Sequence, residues 1–200
     1  MKLLTAFFAD LAIGDPEWIP TTHPVILIGQ AITRLKNTII KVIYGERFEA
    51  VLEKRKLREP DKEIIGGGLL HLVVVGGAYV ITDWIVKGAK AIHPRLGDLA
   101  ETFLIYQCLA SKCLADEAEK GCVKLEEGDL PGARTQVGYL VGRDTACLSE
   151  EEVAKATIET VAENTSDGVI APMFYAALGG APLAMAYKAV NTLDSMVGYK

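Results

Sequence analysis

From Ile64 to Val86 the chain reads "IIGGGLLHLVVVGGAYVITDWIV", 23 residues with His71 and Asp83 as the only acidic or basic side chains. No other stretch restricts the fold as strongly. As a helix rising 1.5 Å per residue it would reach roughly 35 Å, enough for a bilayer core of about 30 Å. Asp83 lies near one end, where it can reach the headgroups. Five glycines (Gly66, Gly67, Gly68, Gly76, Gly77) weaken a helix in water but favour close packing in lipid. A membrane-spanning helix is therefore expected, with a buried helix of a water-soluble bundle as the competing reading. Six Lys and Arg precede the run in residues 45–63, and Lys87, Lys90 and Arg95 follow it. That bias places the preceding loop on the cytoplasmic side.

The flanking segments are also helical in pattern. "MKLLTAFFADLAIGDP" superficially looks like a signal peptide, but Asp10 interrupts it and no small-residue cleavage site follows. It reads as a retained short helix. Between Val25 and Ile43, Ile28, Ile32, Leu35, Ile39 and Val42 recur at helical spacing opposite a basic polar face. Such a helix either lies on a membrane surface or packs in a bundle. Residues 45–63 hold six basic and six acidic side chains and read as solvated. Leu99 to Glu127 reads as one long helix with a stripe of Leu99, Phe103, Tyr106, Ala110 and Cys113. Gly128 is placed to cap it, and Asp129 before Pro131 opens another helix reaching Val141. Nothing alternates like a strand. An all-α, multi-helix, membrane-associated bundle follows, forming a single domain over residues 1–200.

Net charge is −5, which gives a nucleic-acid partner little support, because phosphate backbones demand clustered Lys and Arg. The four cysteines form no CxxC pair and have no histidine at zinc spacing. There is no Walker phosphate loop, GxGxxG, HExxH or GxSxG. His23 and His93 precede prolines and read as turn residues.

The polar chemistry gathers late in the chain. Ser149 and Glu152 form a capping box for a helix reaching about Ser166. On it Glu159, Glu163 and Asp167 follow at i, i+4 and i+8, with Asn164 beside them. Like charges at that spacing repel, so either a cation such as Mg²⁺ or Arg sits among them or the face is simply solvated. Gly168 to Tyr187 then runs twenty residues without a charge. Acids next to such a segment are costly unless they have a role. "LGGAP" (Leu178–Pro182) breaks the run, either into half-helices with a binding site between them or as a plain turn. Beyond it Asn191, Asp194 and Ser195 share a face, with Lys188 one turn earlier. Arg143 and Asp144 lie in the loop "VGRDT". Two oxygen-rich faces with cationic neighbours suit a Mg²⁺–phosphate group.

"LAIGDP", "HPVILIG", "VGRDT", "ETVAENTSDGVIAPMFYAALGGAP" and "KAVNTLDSMVGYK" resemble, in order, the CobD/CbiB family of cobalamin biosynthesis, adenosylcobinamide-phosphate synthase. The resemblance implies a multi-pass protein of the cytoplasmic membrane, with lipid around it and its active site facing the cytoplasm. It implies an ATP-dependent ligase that joins a corrinoid substrate, adenosylcobyric acid, to the aminopropanol phosphate (R)-1-amino-2-propanol O-2-phosphate through an amide bond. A homo-oligomer is compatible with it. Family members usually continue past "GYK", so this chain would be the N-terminal part of a longer one. The matching residues include Asp15, His23, Arg143, Asp144, Glu159, Glu163, Asn164, Asp167, Asn191, Asp194 and Ser195. From these, Glu163, Asp167 and Asp194 are expected to hold Mg²⁺ with ATP. Arg143 or Lys188 would hold a phosphate, and Glu159 would take the proton of the attacking amine. Asn164 and Asp144 join the catalytic group, and Asp15, His23, Lys188, Asn191 and Ser195 the substrate-binding one. The rival reading is a helical membrane transporter or scaffold whose acids carry ions.

Overall fold

The computed structural model describes residues 1–14, 23–45, 60–141 and 144–198, and among them no strand occurs. Helix α1 (Lys2–Ile13) ends at Gly14, whose φ of 68° suits a residue without a Cβ. Both His-Pro pairs start helices. His23 caps α2 (Pro24–Tyr44) and His93 caps α4 (Pro94–Tyr106), each Nδ1 accepting the backbone N–H two residues on, at 3.3 and 3.1 Å. Proline at the first helical position loses no hydrogen bond there. Between them, α3 (Pro60–Ile92) runs 33 residues, longer at both ends than the apolar stretch within it.

The expected helix from Leu99 to Glu127 is two helices, α4 and α5 (Ser111–Glu126), separated by Gln107–Ala110. The interruption has tertiary causes. Lys188 donates to the Cys108 carbonyl at 3.1 Å, Ala110 N–H donates to the Gly168 carbonyl at 3.1 Å, and Ser111 N–H donates to the Asp10 carboxylate at 2.7 Å. Groups that would have continued the helical ladder are thus satisfied from elsewhere. The stripe does not face inward as a unit either, since Leu99, Phe103 and Cys113 are exposed while Tyr106 is buried.

After α6 (Leu130–Gly138), α7 (Glu150–Thr165) carries the full Ser149/Glu152 capping box. A π-helical turn, Ser166–Ile170, leads into α8 (Ala171–Leu193), and a second π-helical turn, Asp194–Gly198, follows it. Helix α8 is broken at Gly179 (φ −143°, ψ 20°) and Gly180 (φ 67°, ψ −162°). The break is a reversal. Tyr175 and Tyr187 stack with ring centroids 4.9 Å apart, and the Asn191 side chain reaches the Asp167 carbonyl at 3.3 Å. In a straight helix the latter pair would be separated by about 36 Å. Residues 166–178 and 181–198 therefore form a helical hairpin with its tip at the two glycines.

Two cores organise the bundle. Ala6, Val86, Ile105, Tyr106, Ala176, Ala181 and Met185 join α1, α3, α4 and the hairpin tip, while Ile32, Leu70, Val74, Ala189 and Leu193 join α2, α3 and the second arm. A separate core of Ala133, Val137, Val153 and Ala156 ties α6 to α7.

Two helical stretches, Asp61–Ile92 and Glu150–Gly198, are long and apolar enough to cross a membrane, the second of them folded back at the glycines. On α3, Ile64, Ile65, Leu69, Leu72, Val80, Ile81, Trp84 and Ile85 are all exposed. A core helix of a water-soluble protein would bury that face, whereas lipid covers it at no cost. Of the five glycines, Gly66 permits the close approach of Ile39 and Ile43 from α2, while the other four face open space.

Asp10 is 1% exposed and accepts the Ser111 N–H from 101 positions away. Asp10→Ala is expected to lower stability by about 2 kcal/mol, because a helix start and a buried N–H lose their acceptor. Thermal unfolding in detergent measures it, and Asp10→Asn, which keeps an acceptor oxygen, should lose less.

Candidate functional site

The hairpin places the two polar motifs of the late sequence next to each other. Asp167 is the second residue of the π-helical turn that follows α7, and its backbone carbonyl accepts from Asn191 on the second arm. The Tyr187 phenol lies near Asp167, and its ring is held by the stack on Tyr175. Lys188, next to Tyr187, extends its ammonium to the Cys108 carbonyl. Carboxylate, phenol, amide and ammonium are thereby held by two arms and one inter-helix loop.

The same loop ties in the N-terminal motif. Ala110 bonds Gly168, Ser111 bonds Asp10, and the Tyr106 hydroxyl donates to the Gly14 carbonyl. Gly14 itself lies on the stem of Lys112, where a Cβ would come within 3.0 Å. "LAIG", "SDG" and "KAVN", far apart in sequence, thus meet around residues 107–112. Cys108 is fully enclosed here. Burial pushes its thiol up to about 12 against the opposing pull of Lys188, so it is a packing residue and not a nucleophile.

The remaining expected site residues are dispersed. Glu159 and Glu163 are exposed, with Lys155 3.9 Å from Glu159. Asp167, in the π-helical turn that follows α7, is half-buried where they are exposed. Asn164 bends back to the Thr160 carbonyl at 2.9 Å. Asp144 is exposed and accepts from Ala146 N–H at 2.9 Å within its own turn. Ser195 donates to the Asn191 carbonyl at 3.1 Å, and the exposed Asp194 folds its carboxylate towards Gly198. His23 serves as the cap of α2. Asp15 and Arg143 lie outside the described residues.

Among the described residues, no three His, Cys, Asp or Glu side chains stand together as a metal site. Glu163, Asp167 and Asp194 therefore do not form a preassembled cage. Sequence reasoning also missed Asp10, Tyr187 and Glu101 as organising residues. An acid inside an otherwise apolar helix, as Asp10 is, was the one local signal available.

Fold and site define an all-helical, membrane-type bundle whose polar junction is assembled on a folded-back hairpin. A family model described as "CobD/Cbib protein" matches residues 3–200, and the chain belongs to that family. It is 46% identical to the "Cobalamin biosynthesis protein CobD" of Geobacter metallireducens over 198 residues, 99% of this chain and 56% of the relative. It is 45% identical to a protein of that name from Klebsiella pneumoniae, and 44% identical to "Cobalamin biosynthesis protein CbiB" of Salmonella arizonae, each over 195 residues, 98% of this chain and 56% of the relative. The chain thus spans about half the length of the curated relatives it matches. No solved structure matches it.

Proposed function

We propose that the chain works in cobalamin biosynthesis as part of an ATP-dependent ligase of the cytoplasmic membrane. It would join adenosylcobyric acid to (R)-1-amino-2-propanol O-2-phosphate, giving adenosylcobinamide phosphate. Family membership supports the pathway, and the observation that carries the site is the hairpin's Asn191 bond to the Asp167 carbonyl, with Tyr187 near Asp167 and Lys188 on the adjoining Cys108 carbonyl. Asn191 lies between Ala189 and Leu193, which pack on Leu70 and Val74 within the apolar part of α3. Polar groups at that level are costly unless they bind something.

A carboxylate joins an amine in neutral water only after activation, and phosphorylation by ATP supplies it. Lys188 is the cation placed to hold a phosphate, Asn191 to orient a polar group, and Asp167 with Tyr187 to accept and pass on a proton from the attacking ammonium. Mg²⁺, when it accompanies the nucleotide, would neutralise phosphate charge, with phosphate oxygens as most of its ligands and Asp167 as the protein's best-placed carboxylate.

The test is ADP release by the protein in nanodiscs. Release is expected only when the corrinoid acid and the amine are both present, with the amide detected by mass spectrometry. ATP consumption without either substrate, or ion movement without product, would favour the transporter reading.

A further inference from the structure

The tip of the hairpin has an anchor on another helix. Glu101 of α4 is mostly enclosed, its side chain 14% exposed, and its Oε2 accepts from Lys2 of α1 at 2.7 Å and from Lys90 of α3 at 3.2 Å. Its Oε1 fills the space that a Cβ at Gly180 would need. Lys2 also pairs with Asp98 at 2.6 Å. A carboxylate therefore stands where the second arm begins, just before Pro182, with cations from two further helices behind it. Negative charge at a helix start is favourable, and here it comes from outside the helix. The second arm carries Tyr187, Lys188 and Asn191.

We infer that Glu101 is a positioning residue for the site. Its charge fixes the hairpin tip against α1, α3 and α4, and so sets where the second arm presents Lys188 and Asn191. The functional weight of those two residues rests on the proposed ligase reading, but the anchoring itself does not. The groups facing Glu101 are Lys2 from α1, Lys90 from α3, the Gly180 backbone from α8 and, through Lys2, Asp98 of its own helix.

Burial alone would raise the Glu101 carboxyl, but the hydrogen bonds and charges of Lys2 and Lys90 outweigh it and hold the group below its ordinary 4.5. Lys2 is raised above 10.5 by its hydrogen bonds to Asp98 and Glu101. The anchor is thus in place at neutral pH. It is lost in acid as pH falls through the lowered value of Glu101, and in strong base as pH rises through the raised value of Lys2.

Hydrogen exchange of the protein in nanodiscs, which needs no substrate, tests this. Glu101→Gln keeps the shape and removes the charge. Exchange in residues 181–193 is expected to rise about tenfold, the effect of one lost charge-assisted hydrogen bond, while residues 111–165 keep their protection. Lys90→Met, which leaves the Lys2 pair, should give a smaller rise in the same segment. In the wild type, acidification through the lowered pKa of Glu101 should produce the same local loss, and Glu101→Gln should lack that step. Unchanged exchange in 181–193, or a uniform rise that includes 111–165, would overturn the inference. Either result leaves the ligase assay free to succeed or fail independently.

Discussion

Gly180→Ala is expected to lower the stability of the protein by about 3 kcal/mol, the upper end for a backbone conformation that glycine alone adopts readily. At φ 67° and ψ −162° a side chain is strained before any neighbour is considered. The neighbour makes it worse, because the new Cβ would run into the Glu101 carboxylate that Lys2 and Lys90 hold in place. The chain has to open the tip or expel Glu101 from its pairs. Either way the arms shift, and the Tyr175–Tyr187 stack with them. Thermal unfolding in detergent reads the stability, and the near-ultraviolet signal of the stacked tyrosines reads the arms. Gly67→Ala is the control. That residue meets nothing within 4 Å inside α3, so the substitution should leave stability unchanged or raise it by about 0.5–1 kcal/mol. A Gly180→Ala protein as stable as the wild type would mean that the reversal is not built on this glycine.

The contrast between these two glycines shows what the sequence exposes and what it hides. A Gly-Gly-Ala-Pro run inside apolar residues marks a break, because two residues without side chains and one without an N–H weaken any helix. That the break turns the chain back on itself is invisible locally. Both arms are apolar and helical, and only the Asn191 and Tyr187 contacts with Asp167 and Tyr175 define the fold-back. The gap between α4 and α5 was hidden for a related reason. "YQCLASKC" contains neither glycine nor proline, and its helix is interrupted by Lys188, Gly168 and Asp10, partners no periodicity can reveal. Helix starts were the most legible features where, as at Ser149 and Asp129, the cap acts through its immediate neighbours, whereas His23 and His93, which read as turn residues, prove to be caps. The acidic residues were legible as a group but not individually. Asp167 is half-buried against the second arm while Glu159 and Glu163 stay exposed, a difference set by tertiary contacts that the spacing does not carry.

Lys188 carries the largest functional expectation. It is the cation that the second arm places beside the Asp167 junction, and the Cys108 carbonyl holds its ammonium at 3.1 Å. A phosphate arriving there would meet a charge already oriented by the fold, so little reorganisation is needed as negative charge develops. Lys188→Met is therefore expected to reduce amide formation by about 100-fold, the usual scale for removing one oriented electrostatic partner. It also removes the donor to the Cys108 carbonyl, a loss of about 1 kcal/mol or more in stability. Lys188→Arg keeps the charge but replaces a compact ammonium with a planar fork, and it should recover only part of the rate. Rates of product formation in nanodiscs, set beside unfolding temperatures for the same three proteins, separate the two roles. If Lys188→Met makes amide at the wild-type rate but melts early, the ammonium serves only to tie the inter-helix loop to the hairpin. The phosphate must then be held by a cation elsewhere in the longer family fold.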